Sequence, residues 1–229
     1  MTVERDGATA VVTLNRPDKR NALSLELREE LTGVLAELAA GDDLRCVVLT
    51  GAGSAFCAGM DTSEFGGDRA HKERIVELSI GLFRALASFP KPVVAAINGP
   101  AVAGGFALAL LCDLRLAASE AKMGFLENRR GIPPSYAAAR AALPAALATE
   151  LCLTGRVLDA NEAERLGVVK EVHTAAGLMP RARALADDIA AAPPSASLET
   201  KRRIVIERDT SWRLLFEAEE QALREALLG

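Results

Sequence analysis

Histidine is almost missing from this chain. Only His71 and His173 are present, far apart and without metal-ligand spacing, so neither a histidine-based triad nor a zinc site is expected, and both read as surface residues. Cysteine is scarce as well. Cys46, Cys57, Cys112 and Cys152 contain no C-x-x-C pair, and three of them lie in apolar runs where a thiol behaves as a small hydrophobe. That usage points to a reduced, cytoplasmic protein. No excess of either charge exists: 27 basic side chains stand against 31 acidic ones, a formal net charge of −4 spread along the chain. Such a balance leaves no footprint for nucleic acid or an anionic membrane, so the expected partner is a small molecule. The first residues carry acidic groups and no apolar stretch, so no signal peptide is expected. Gly51-Ala52-Gly53 lacks the third glycine of a dinucleotide fingerprint, no Gly-Lys-Ser/Thr forms a P-loop, and Ser54 is in no G-x-S-x-G elbow.

What is present is apolar. Half of the 229 residues are hydrophobic, enough for a substantial core and too many for a disordered chain. The run from Pro92 to Cys112 carries no charge and is long enough to span a bilayer, but Asn98-Gly99-Pro100 and Gly104-Gly105 interrupt it. Strand, turn and helix describe it better.

Along the chain, Val3-Glu4-Arg5, an Asp6-Gly7 turn and Ala8 to Leu14 read as a hairpin. Ser24 caps a helix with Leu27, Leu31, Val34, Leu35 and Leu38 at helical spacing, Glu26 in its first turn and Gly41 at its end. Cys46 to Leu49 is a buried strand running into the loop Gly51 to Asp61. A helix near Glu73 to Phe89 follows, stopped by Pro90-Lys91-Pro92, and Val93 to Ile97 is a second buried strand. Strand, glycine-rich turn and helix thus occur twice, which predicts α/β layering with parallel pairing. From Ser135 the chain reads as helical, with Leu166 to Val169 as one strand and a last amphipathic helix from Ser211. Residues 1–134 are expected to form the α/β core and residues 135–229 a helical part of the same domain.

Each buried strand feeds a turn of small residues ahead of a helix start, where backbone can approach a ligand closely. Two such turns can converge to aim a pair of N–H groups at one spot, the requirement for an oxyanion hole. The same glycines would also serve simple packing of helix on strand, and the turns alone leave both readings open.

Four blocks, in order, carry a resemblance. They are Leu14 to Ser24 (LNRPDKRNALS), Gly51 to Asp61 with its Ala55-Phe-Cys-Ala-Gly59 core, Lys91 to Gly99 continuing through Ala103-Gly-Gly105 to Cys112-Asp113, and Leu153-Thr-Gly-Arg156 followed by Ala163 to Val169. In this order and spacing the chain resembles the enoyl-CoA hydratase/isomerase family, the crotonase superfamily. The resemblance implies a fold of repeated ββα units, two stacked sheets flanked by helices, with a helical C-terminal trimerisation region. It also implies an acyl-CoA substrate with coenzyme A as part of that substrate and no separate cofactor or metal, and a homotrimer or dimer of trimers.

Carried over by position, the resemblance puts oxyanion donors on the N–H groups of Met60 and Gly104 and an acid/base carboxyl on Glu127. It assigns Ala22, Leu23, Ala58, Gly59, Asp61 and Gly105 to the substrate and CoA path, with Lys19 and Arg20 near the phosphates. The family's hydratases have a second glutamate three residues after the oxyanion glycine, and this chain has Ala107 there. A methyl group cannot move a proton, whereas shifting a double bond from Cβ–Cγ to Cα–Cβ needs only one base. Isomerisation is therefore the expected reaction, with hydration, decarboxylation and non-catalytic acyl-CoA binding as alternatives. Ser135 and Tyr136 are further candidates for substrate contact. Arg129 and Arg130 replace apolar residues common in the family and could pair with a substrate carboxylate.

Overall fold

The computed structural model describes residues 1–229, the side chain of Ser211 excepted. The hairpin forms as the Asp6-Gly7 turn predicts: strand β1 (Thr2–Asp6) pairs antiparallel with β2 (Thr9–Leu14), and Gly7 takes the left-handed φ of 54° that the turn requires. Helix α1 (Leu25–Ala40) begins at Ser24, whose side chain accepts the Leu27 N–H, and leads to β3 (Cys46–Gly51). Helix α2 (Arg69–Ala87), β4 (Val93–Ile97), β5 (Ala101–Val102), α3 (Gly104–Leu111), β6 (Leu114–Ala118) and β7 (Lys122–Gly124) follow. The later part holds α4 (Tyr136–Ala142), α5 (Ala145–Thr154), β8 (Val157–Asp159), α6 (Ala160–Arg165), β9 (Glu171–His173), α7 (Ala175–Ala191) and α8 (Pro194–Leu228).

The main sheet runs β1-β2-β3-β4-β6-β9, parallel from β2 onward, and the smaller one β5-β7-β8. Successive residues of the central strands serve two cores. Val12, Leu14, Val47, Leu49, Ala95 and Ile97 face α1, α2 and α3, while Val11, Val48, Val94 and Ala96 face Leu178, Ala182 and Leu185 of α7. Burial on both faces is why these strands read as unbroken apolar runs.

Three sequence expectations are corrected. The strand expected over Leu166 to Val169 is a turn: Gly167 has φ +72°, and the Val168 and Val169 N–H groups both return to Ala163 O. Ladder pairing starts only when the Lys170 N–H reaches Arg115 O, so the strand is β9, and the two valines fill the core without pairing. The unforeseen β8 completes the small sheet. The last helix starts at Pro194, not at Ser211, whose side chain lies outside the described residues; α2 starts at Arg69, because Asp68 accepts the His71 N–H. Both histidines lie at the surface, partly exposed, where His71 Nε2 meets Glu64 O at 2.8 Å and His173 Nε2 meets Glu171 at 3.0 Å.

A buried ionic cluster ties α8 to the main sheet. The Asp113 carboxylate takes Lys201 Nζ at 2.7 Å on both oxygens, Arg208 at 3.3 Å and the Val93 N–H at 2.8 Å. Lys201 is 2% exposed, so the pair is desolvated, and burial lowers the lysine pKa against the pull of Asp113. Among the described residues no helix is long and apolar enough to cross a membrane.

Candidate active site

The ends of β3 and β4 splay into the two glycine-rich turns, and side-chain amides stitch them together. Fully buried Asn21 accepts the Arg16 N–H at 2.9 Å and donates to Ala52 O and Ala55 O at 2.9 and 2.8 Å. Asn98 accepts the Gly51 N–H at 3.1 Å and donates to Gly53 O at 3.0 Å. Phe56 and Cys57 donate to Pro100 O, and the Val102 N–H donates to Cys57 O. The contact leaves no room for side chains at several points. A Cβ on Gly105 would lie 2.2 Å from Cys57 O, and one on Gly59 would lie 2.7 Å from Ala103 Cβ and 3.0 Å from the Gly104 nitrogen.

Met60 and Gly104 carry backbone donors that this arrangement does not use. The Leu23 N–H donates to Gly59 O at 2.7 Å and the Asp61 N–H to Leu23 O at 3.3 Å. Peptide groups alternate along extended chain, so the Met60 N–H between them faces away from Leu23, and it donates to no described residue. Gly104 opens α3, where N–H groups have no partner within the helix. The Phe106 and Ala107 N–H groups turn back to Ala103 O, and that of Gly104 donates to no described residue. Ala103, just before it, has φ 53° and ψ −132°, a conformation natural to glycine and strained for alanine.

Met60 and Gly104 line one cleft of about 500 Å³. Of the residues expected at the site, Lys19, Arg20, Ala22, Leu23, Ala58, Asp61 and Glu127 line it too. Lys19 and Arg20 are exposed at its edge. Two expected residues do not line it: Gly59 and Gly105 lie behind the wall, where their missing side chains let the turns meet. The Asp61 carboxylate faces inward to the protein, accepting Arg16 at 3.0 Å and the Ser63 hydroxyl and N–H at 2.6 and 3.1 Å. Burial opposes its ionisation, but those bonds outweigh it and keep its pKa below the usual carboxylate range. Arg130 lines the cleft whereas Arg129 does not, Ser135 lines it, and Tyr136 points to Thr149.

Glu127 sits in a short 3-10 turn, Leu126–Arg130, held by Asn128, whose amide donates to Cys152 O and Leu153 O. Its Oε2 is buried and has no hydrogen-bond partner, and it pairs with neither Arg129 nor Arg130. Burial pushes its carboxyl up to about 7, only partly offset by its own backbone N–H.

Sequence reasoning missed two charged residues of the cleft. Arg28 of α1 is 1% exposed, and Glu219 of α8 accepts the Ala137 N–H at 2.6 Å and the Ser135 hydroxyl at 2.9 Å. Burial raises the Glu219 pKa against those bonds. A signal for both existed: Arg28 falls on the stripe continued by Leu31, Leu35 and Leu38, and Glu219 on that of Trp212, Phe216 and Leu223. Ile80 and Phe83 of α2 supply apolar wall. Among the described residues no cluster of His, Cys, Asp or Glu could hold a metal ion.

Two sheets flanked by helices, a helical C-terminal region and a cleft between two interlocked turns make up the crotonase architecture. The sequence pattern of the enoyl-CoA hydratase/isomerase family matches residues 4–226, and the chain belongs to this family. It is 37% identical to an enoyl-CoA hydratase of Mycobacterium tuberculosis, over 85% of this chain and 76% of that protein. It is 34% identical to the short-chain-enoyl-CoA hydratase of Clostridium acetobutylicum, over 95% and 86% of the two chains. The crystal structure of an enoyl-CoA hydratase from Mycobacterium avium subsp. paratuberculosis superposes with a TM-score of 0.91 at 26% identity, covering 100% of this chain and 93% of that one.

Proposed function

We propose that this protein isomerises enoyl-CoA thioesters, moving a double bond from Cβ–Cγ to Cα–Cβ. The thioester oxygen accepts hydrogen bonds from the Met60 and Gly104 N–H groups, which stabilise the dienolate; one such donor is worth roughly a hundred- to a thousand-fold in rate. Glu127 takes a proton from Cα and returns it at Cγ. Ala22, Leu23 and Ala58 line the path of the CoA arm, and Lys19 and Arg20 meet its phosphates. No group beyond the substrate's own coenzyme A is needed, and a homotrimer or dimer of trimers is the assembly that goes with this reading.

The observation that carries the reading is the buried, unpartnered Oε2 of Glu127 in a cleft where Ala107 stands in place of a second family carboxylate. A carboxyl with a pKa near 7 can both accept and return a proton at neutral pH. Hydration is the second reading. It is favoured by the names of the relatives and by Glu219, which offers a second carboxyl in the same cleft.

Incubation with 3-enoyl-, 2-enoyl- and malonyl-type CoA thioesters, with products followed by mass, distinguishes these. Conversion of the 3-enoyl thioester at unchanged mass, lost in Glu127→Ala, is the expected result. Rapid gain of water by crotonyl-CoA establishes hydration instead. Thioester binding without any turnover makes the protein a binding member of the family.

A further inference from the structure

Arg28 has no evident structural reason for its charge. Its side chain is 2% exposed, its Nε is buried without a partner, and its guanidinium donates no hydrogen bond to any described residue. Its one ion pair, to Glu64, is long at 4.0 Å and is no hydrogen bond, and the Glu64 Oε2 already accepts the Leu25 N–H at 2.9 Å. Asp61 is committed to Arg16 and Ser63. On the apolar stripe of α1 a leucine or methionine would pack at this position, whereas a desolvated guanidinium with one long ion pair and no hydrogen bond is costly. Burial lowers the Arg28 pKa to about 10, so it stays charged at neutral pH.

Arg28 nevertheless lines the cleft, along with Ile80 and Phe83, well inside the exposed Lys19 and Arg20 at the edge. A guanidinium presents a planar fork of donors that matches a carboxylate in two parallel hydrogen bonds. We propose that Arg28 binds a carboxylate carried by the acyl group, so that the preferred substrates are CoA thioesters of dicarboxylic acids. This rests on the cleft's being an acyl-CoA site and goes beyond it in naming the acyl class. The other anion of such a ligand is the CoA phosphate, and the experiment separates the two.

The test compares unmodified protein with Arg28→Met and Arg28→Lys, titrated with CoA alone, with neutral acyl-CoAs from butyryl to octanoyl, and with dicarboxylyl-CoAs from malonyl to suberyl. At least one dicarboxylyl-CoA is expected to bind the unmodified protein on the order of tenfold to a hundredfold more tightly than the neutral thioester of equal length. That ratio collapses toward unity in Arg28→Met and is partly kept in Arg28→Lys. Neutral thioesters that bind the unmodified protein as well as every dicarboxylyl one overturn the assignment, and this comparison needs no variant to fold. A preference that survives Arg28→Met also overturns it, as does an equal loss of affinity for CoA alone, which would assign the guanidinium to phosphate. If no thioester binds, the acyl-CoA reading falls; if neutral thioesters are turned over and no preference exists, only the role of Arg28 falls.

Discussion

Glu127→Gln removes a charge while keeping the shape of the side chain, so it separates the stability and the activity consequences of burying one carboxyl. Burial raises this group from an ordinary 4.5 to about 7. At about 1.4 kcal/mol for each tenfold change in the proton equilibrium, the folded state disfavours the ionised form by about 3 to 4 kcal/mol. The sign follows from proton counting. Between about pH 4.5 and about pH 7 the folded protein holds a proton that the unfolded chain has released, so stability falls as pH rises. The stabilisation of the protonated form is complete below about 4.5 and gone above about 7. Glutamine does not titrate. The difference in unfolding free energy between variant and parent, from urea titrations across this range, should therefore grow with pH in favour of the variant and level off at about 3 to 4 kcal/mol. In the same window, kcat/KM of the parent should rise with pH as the base form appears, while the variant stays inactive throughout. Parallel stability curves for the two proteins would refute the claim that this carboxyl is desolvated.

Two further substitutions probe the scaffold. Gly105→Ala would bring a methyl group to 2.2 Å from Cys57 O; the turn carrying Met60 must then shift, costing about 1–3 kcal/mol in a thermal melt and lowering turnover although the residue lines no cleft. Asp113→Asn leaves buried Lys201 and Arg208 without their counter-charge and should cost about 3–5 kcal/mol, the share due to Lys201 being recovered when Lys201→Met is added; a double variant no more stable than the single one would contradict this account of how α8 is held.

Local chemistry was readable wherever a short-range rule governs it. The Asp6-Gly7 hairpin, the Ser24 cap, the two apolar strands and the turn after each follow from φ preferences, capping and alternation, which act over a few residues. The block pattern from Leu14 to Val169 was enough to identify the family. The sequence did not distinguish valines that pair in a sheet from valines that merely fill its edge, and so Val168 and Val169 were misread: pairing depends on Arg115, which is distant along the chain. Nor did it separate glycines that face a ligand from those that face another loop. Gly59 and Gly105 are required by contacts with Ala103, Gly104 and Cys57, which only the meeting of two turns creates. The charges of the cleft were settled last of all. Arg28 and Glu219 lie on helices from opposite ends of the chain, each a charged residue on an otherwise apolar stripe. Whether such a residue is solvated, paired or left facing a cavity depends on what the other helices bring against it, and that is decided by tertiary packing alone.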